Sequence, residues 1–206
     1  IRLGTGVSSL PYHHPLILAD RFMQLHHMTQ GRAMFGAGPG ALVSDAKMMG
    51  IETDRQRDMM EEALEDILKL FRGETVTHET DWYTLKNARL QLRPYGNQPI
   101  DVVTASMMSP SGPNAAGRLG TGLLSMSASA APALKVAGTN WDLACEVAAE
   151  HGNTMDRSQW RMIGLVHVAE TREQAIADVQ FGIEDWVRYF EDVAVIPMIP
   201  PECRGD

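Results

Sequence analysis

The segment Ala105-Ser106-Met107-Met108-Ser109-Pro110-Ser111-Gly112-Pro113-Asn114 could hold an anion. It follows the apolar run Ile100-Asp-Val-Val-Thr and precedes a short helical pattern at about 113–119. A helix N-terminus at such a junction presents free amides and the positive end of the helix dipole. With the Ser109 and Ser111 hydroxyls and the open backbone at Gly112, that is the chemistry of a phosphate cradle. The same serines would also serve as plain helix caps, and the spacing leaves both readings open. A second candidate is Gly36-Ala37-Gly38-Pro39-Gly40, again after an apolar run. It approaches the dinucleotide fingerprint Gly-x-Gly-x-x-Gly and departs from it in three ways. The third glycine comes too early, Pro39 lacks an amide to offer a phosphate, and Val43-Ser44-Asp45 reads as a polar turn rather than the start of a helix. The glycines then serve either a loop passing close to something bulky and flat, or a tight turn with positive φ.

The remaining chemical residues offer less. His13 and His14 precede a helix, where they would line a pocket or simply be exposed. His26 and His27 are adjacent on one helix and cannot share a metal from one face. His167 falls in an apolar stretch and reads as a core residue, and no Cys/His spacing suggests a metal site. The methionine pairs 48–49, 59–60 and 107–108 read as core filler, or as the lining of an apolar substrate pocket. Glu61, Glu62 and Glu65 read as a solvated helix face.

These residues need a scaffold. The chain has 206 residues, ordinary globular composition and a net charge of −8. That charge argues against a nucleic-acid partner, which basic clusters would serve. Cys145 and Cys203 are far apart, which fits a reducing, cytoplasmic setting. No apolar run is long enough to span a membrane. Apolar periodicity predicts strands at about 1–10, 32–36, 99–105, 122–126 and 161–169. Helices are predicted at about 15–29, 54–72, 113–119, 132–151 and 171–192, with Thr53/Gln56 and Thr171/Gln174 at capping-box spacing. A hairpin is expected from Trp82-Tyr-Thr-Leu and Arg89-Leu-Gln-Leu, turning at Lys86-Asn87. Strands alternating with helices imply a parallel sheet, either doubly wound or part of a barrel that usually needs about 250 residues. The start inside a strand and the Pro-rich end suggest a single domain over 1–206, truncated on both sides.

Taken in order, these motifs resemble the bacterial-luciferase-like flavin-dependent monooxygenases, specifically the alkanal and limonene monooxygenase branch. The resemblance runs from Leu3-Gly-Thr-Gly through His14-Pro15, Gly31-Arg32, Phe35-Gly36, Asp45 and the 105–114 loop to Glu170-Thr-Arg-Glu-Gln-Ala. It implies an α/β fold, a TIM-type (β/α)8 barrel with a hairpin insertion, of which this chain supplies strands three to seven. It implies FMN, with the deazaflavin F420 as the alternative, at the C-terminal mouth of the barrel. Gly6 and Val7 match a bulge, often with a cis peptide, behind the flavin ring. Gly38, Pro39 and Gly40 match a second wall of that site. Ala105, Ser106, Met108, Ser109, Ser111 and Gly112 match the phosphate loop, while His14 and Asp45 match the substrate side. In luciferases an arginine grips the phosphate where this chain has Pro39, which weakens the site or moves charge compensation outside the chain. The family's active-site histidine would precede residue 1. The implied reaction uses reduced FMN from a separate NAD(P)H:flavin reductase, with O2, to oxygenate an aldehyde, ketone or terpene in a homodimeric enzyme. The other readings are F420-dependent hydride transfer and a non-catalytic flavoprotein subunit.

Overall fold

The computed structural model describes residues 1–126 and 131–194; the Pro-rich end and Cys203 lie outside the described residues. A parallel sheet forms the frame, from β1 (Leu3–Gly4), β2 (Ser8–Ser9), β3 (Ala33–Gly38), β6 (Asp101–Ser106), β7 (Gly122–Ser125) and β8 (Arg161–Met162), in the order β1-β3-β6-β7-β8 with β2 also on β3. The antiparallel hairpin β4 (Val76–Glu79) and β5 (Thr84–Ala88) stands apart from it. Helices α1 (Pro15–Met28), α3 (Gln56–Phe71), α4 (Ser111–Leu119) and α5 (Ala131–Glu150) make the crossovers. The sheet curls. Asp101 in the middle strand accepts from Arg2 beside β1 at 2.8 Å and from Arg161 of β8 at 2.5 Å, so both outer strands bend toward the centre. At the opposite ends of the strands, a Cβ on Gly6 would lie 3.1 Å from Ile163, just past β8. This is the curvature of an incomplete TIM-type barrel.

The core lies between β3, α1, α3 and the hairpin. Phe22, Phe35 and Phe71 meet at centroid distances of 4.9, 5.8 and 5.5 Å, each pair worth about 0.5–1.5 kcal/mol beyond its buried area. The α3 periodicity holds, with Met60, Ala63, Leu64, Ile67 and Leu70 all buried. The hairpin is locked to α3 by Asp66, whose Oδ2 lies 2.7 Å from His78 Nδ1 and accepts from the Tyr83 hydroxyl at 2.8 Å. Burial, then the hydrogen bond to Asp66 and its charge, raises the Tyr83 phenol well above its ordinary range, so it remains a donor.

Several expectations are corrected. The first strand is broken at residues 5–7, leaving two short pieces. The hairpin turns at 80–83, because Thr80 Oγ1 accepts from the amides of both Trp82 and Tyr83 and closes a tight turn there. The aromatic pair read as strand is therefore the turn, and 89–92 is not a strand. The polar turn at Ser44-Asp45 is a short helix, α2 (Val43–Met48). Gln56 makes no capping box with Thr53, since its side chain serves the site described below. The strand read at 161–169 is ladder-paired only at Arg161–Met162; Val166 and Val168 are exposed, and His167 bonds Asp178 at 2.9 Å instead of joining a core. The last helix breaks at Gly182 into α6 (Arg172–Val179) and α7 (Ile183–Arg188), followed by a π-type turn at Tyr189–Val193. Its Thr171 cap does form, to the Gln174 amide at 3.1 Å. Glu61, Glu62 and Glu65 are partnered, with Arg118, the Trp82 indole and Lys69 respectively. Met48 and Met49 are exposed, whereas Met59 and Met60 are buried.

Candidate functional site

The glycines of β3 are explained by what lies over them. A Cβ on Gly36 would sit 2.1 Å from the Thr5 carbonyl oxygen, and one on Gly38 would sit 2.4 Å from Val7 Cγ2. They let the broken β1–β2 segment press directly onto β3. The Thr5 hydroxyl replaces the interrupted ladder by accepting from Gly36 N at 2.9 Å and donating to Gly36 O at 3.0 Å. The Gly6–Val7 peptide at the break is cis. Gly40 alone in this run has positive φ, at 89°, and makes the turn out of the strand. Close approach and turn both apply, each to different glycines.

A cleft of about 490 Å³ opens at the C-terminal ends of the strands. Gly6, Val7, Pro39, Gly40, Asp45, Ala105, Ser106, Ser109, Ser111 and Gly112 all line it. The structure thus brings together segments separated by about a hundred residues, as the C-terminal rim of a parallel barrel does. Three expected residues are elsewhere. Gly38 lies beneath Val7, Met108 is 45% exposed outside the lining, and His14 precedes α1 with its ring edge-on to Tyr83 at 6.1 Å.

The wall at 105–112 is open to an anion. Pro110 is the N-cap of α4 and gives no side-chain cap. Ser109 and Ser111 bond each other at 2.9 Å and do not cap the helix. The amides of Ser111 and Gly112 lie in the first turn, where no helical acceptor exists. Gly112 is required by packing, because a Cβ there would meet the Ala105 carbonyl oxygen at 2.0 Å. Buried Asn140 on α5 braces this wall, its Nδ2 donating at 3.1 Å to both Ser106 Oγ and Met107 O. The other wall is braced by buried Gln56, which donates to the Pro39 carbonyl at 2.9 Å and to the Tyr12 hydroxyl oxygen at 3.0 Å.

Tyr12, Arg57 and Met126 also line the cleft and have no counterpart among the expected site residues, while Met60 and Met107 line it as the pocket reading of the methionine pairs expects. Arg57 places a guanidinium at the cleft, where Pro39 offers no cation. It makes no ion pair among the described residues, while Arg55 two positions earlier is held by Asp81 at 2.6 Å. In the sequence Arg57 looks like one more solvated charge. The available signal was its place in the first turn of the long helix that carries the chain back from the strand end, since such a turn faces the rim of a barrel.

The described residues include no helix long and apolar enough to cross a membrane. Residues 1–196 match the family model of luciferase-like monooxygenases. The chain is 47% identical over 193 residues to limonene 1,2-monooxygenase of Rhodococcus erythropolis, covering 94% of this chain and 49% of that protein. It superposes with a TM-score of 0.71 on the oxygenating constituent of 3,6-diketocamphane monooxygenase of Pseudomonas putida, a type II Baeyer-Villiger monooxygenase in complex with FMN. That match is 27% identical and covers 95% of this chain and 56% of that one. An F420-dependent secondary alcohol dehydrogenase in complex with an F420-acetone adduct shares the fold at a TM-score of 0.69 and 22% identity, over 92% of this chain and 57% of that one. The chain spans about half the length of the relatives it matches. Its sequence and curled parallel sheet place it in the luciferase-like monooxygenase family, whose members include named oxygenating enzymes.

Proposed function

We propose that the cleft binds FMN and that the chain is the flavin-binding part of a monooxygenase using O2 on a small apolar aldehyde, ketone or terpene. The observation that carries this reading is the joining, in one cleft, of a guanidinium with no ion pair among the described residues (Arg57), a helix N-terminus whose first amides have no helical acceptor (Ser111, Gly112) and an apolar lining (Val7, Met60, Met107, Met126). The polar part suits a phosphate and the apolar part suits a ring and an apolar substrate. Bound reduced flavin would supply the electrons for oxygen activation, delivered by a separate NAD(P)H:flavin reductase. The protein's part is to hold the phosphate through Arg57 and the 109–112 wall, seat the ring against Val7, and exclude water with apolar side chains. A homodimeric, cytoplasmic enzyme belongs to the same reading. The second reading, F420 with hydride transfer, is favoured by the shared fold of the F420-dependent dehydrogenase. Visible absorption after incubation with each cofactor separates the two.

The experiment is Ser109→Asp. A carboxylate facing the phosphate, with a hydroxyl lost, should weaken FMN by about 2–4 kcal/mol, roughly 30- to 1000-fold. Riboflavin, lacking the phosphate, should lose far less. Equal losses for the two ligands in fluorescence titrations would move the phosphate elsewhere.

A further inference from the structure

Gln56 fixes the direction of a hydrogen bond in the cleft. Its side chain is 6% exposed, and its Nε2 sits 2.9 Å from the Pro39 carbonyl oxygen and 3.0 Å from the Tyr12 hydroxyl oxygen. A carbonyl can only accept, so the amide nitrogen must face Pro39. That nitrogen's other hydrogen then goes to the Tyr12 oxygen, which is therefore the acceptor. The Tyr12 proton must be given to something else, and no other partner for it is found among the described residues. Tyr12 lines the cleft, and Gly40 leaves the space its hydroxyl needs, since a Cβ there would lie 2.5 Å from the Tyr12 hydroxyl oxygen.

We propose that Tyr12 is a binding residue that donates its hydroxyl proton to a carbonyl oxygen of the ligand's flavin-type ring, and that Gln56 is the positioning residue that holds it as a donor. The inference rests on the flavin reading for the ligand's identity. FMN and F420 both carry such ring carbonyls, so it does not depend on which is bound.

The test is titration of the 206-residue chain with FMN, and with F420 in parallel. Tyr12→Phe keeps the ring and removes the donor, and should weaken binding by about 3- to 10-fold. Gln56→Glu at neutral pH puts an acceptor-only carboxylate behind Tyr12 and takes its proton away from the cleft. In that background Tyr12→Phe should cost nothing further, a coupling that general loosening of the loop would not produce. Tyr12→Phe binding as tightly as wild type overturns the inference alone. So does the same loss from Tyr12→Phe in both backgrounds. A wild-type chain that binds neither cofactor overturns the flavin reading and this inference with it.

Discussion

Replacing Thr5 with Val should destabilise the fold by about 2–4 kcal/mol. Val has nearly the shape of Thr, so packing is kept and only the hydroxyl is lost. That hydroxyl accepts from Gly36 N and donates to Gly36 O, at 2.9 and 3.0 Å. It fills the gap between two ladder segments, Leu3–Gly4 on Ala33–Met34 and Ser8–Ser9 on Ala37–Gly38. Two ordinary hydrogen bonds contribute about 1–3 kcal/mol together, and stranding the N–H and C=O of buried Gly36 against a methyl adds to that. For a chain of this size the melting temperature should fall by about 4–16 °C. Urea denaturation followed by circular dichroism gives the free energy, with the midpoint falling and the slope unchanged. Thr5→Ser keeps the hydroxyl and should stay within about 1 kcal/mol of wild type. FMN affinity should fall with Thr5→Val, because the bracket sets the height of Gly6 and Val7 over β3. A Val variant within about 0.5 kcal/mol of wild type, or a Ser variant as weak as Val, would refute the view that this hydroxyl closes the sheet.

Tyr83→Phe removes one of the bonds on Asp66, which is 1% exposed, and should cost about 1–3 kcal/mol by urea denaturation, with early loosening of the hairpin seen in hydrogen exchange. Burial, then the charges of His27 and Arg2, lowers the pKa of His26, whose Nδ1 accepts from the Tyr95 amide at 3.2 Å. The unfolded chain therefore binds this proton more readily than the folded one, and stability present above about pH 6.5 is lost as the pH falls through the lower folded value. His26→Gln, which stays neutral, should lose less stability between pH 7 and pH 5 than wild type does; equal losses would assign the acid sensitivity to other groups.

The frame was legible where the signals were local. The Thr171 cap needs only Gln174, three residues on, and the α3 face needs only its own periodicity. The parallel sheet followed from alternation of strands and helices. What escaped was decided by distant partners. Trp82 and Tyr83 carry strand-forming side chains, yet Thr80 closes a turn around them and Asp66 and Glu62 receive their polar atoms. The apolar residues of 165–168 suit a strand but extend past the end of β7, whose ladder on that side takes only Arg161 and Met162. In the cleft, the loops at 39–45 and 105–112 could be read from glycine, serine and proline spacing together with the family resemblance. Arg57 and Tyr12 could not, because nothing near them in sequence distinguishes a rim residue from a solvated one. Gln56 has capping-box spacing to Thr53, and nothing local in the sequence shows that Tyr12 and Pro39 lie beside it.

The most direct test of the account is amide hydrogen exchange of the chain with and without saturating FMN. Bound FMN should slow exchange at residues 105–114, most at Ser111 and Gly112, and at 39–46, with little change in the hairpin at 76–88. Protection confined to the far ends of the strands, around residues 93–102, or no protection at all, would contradict it.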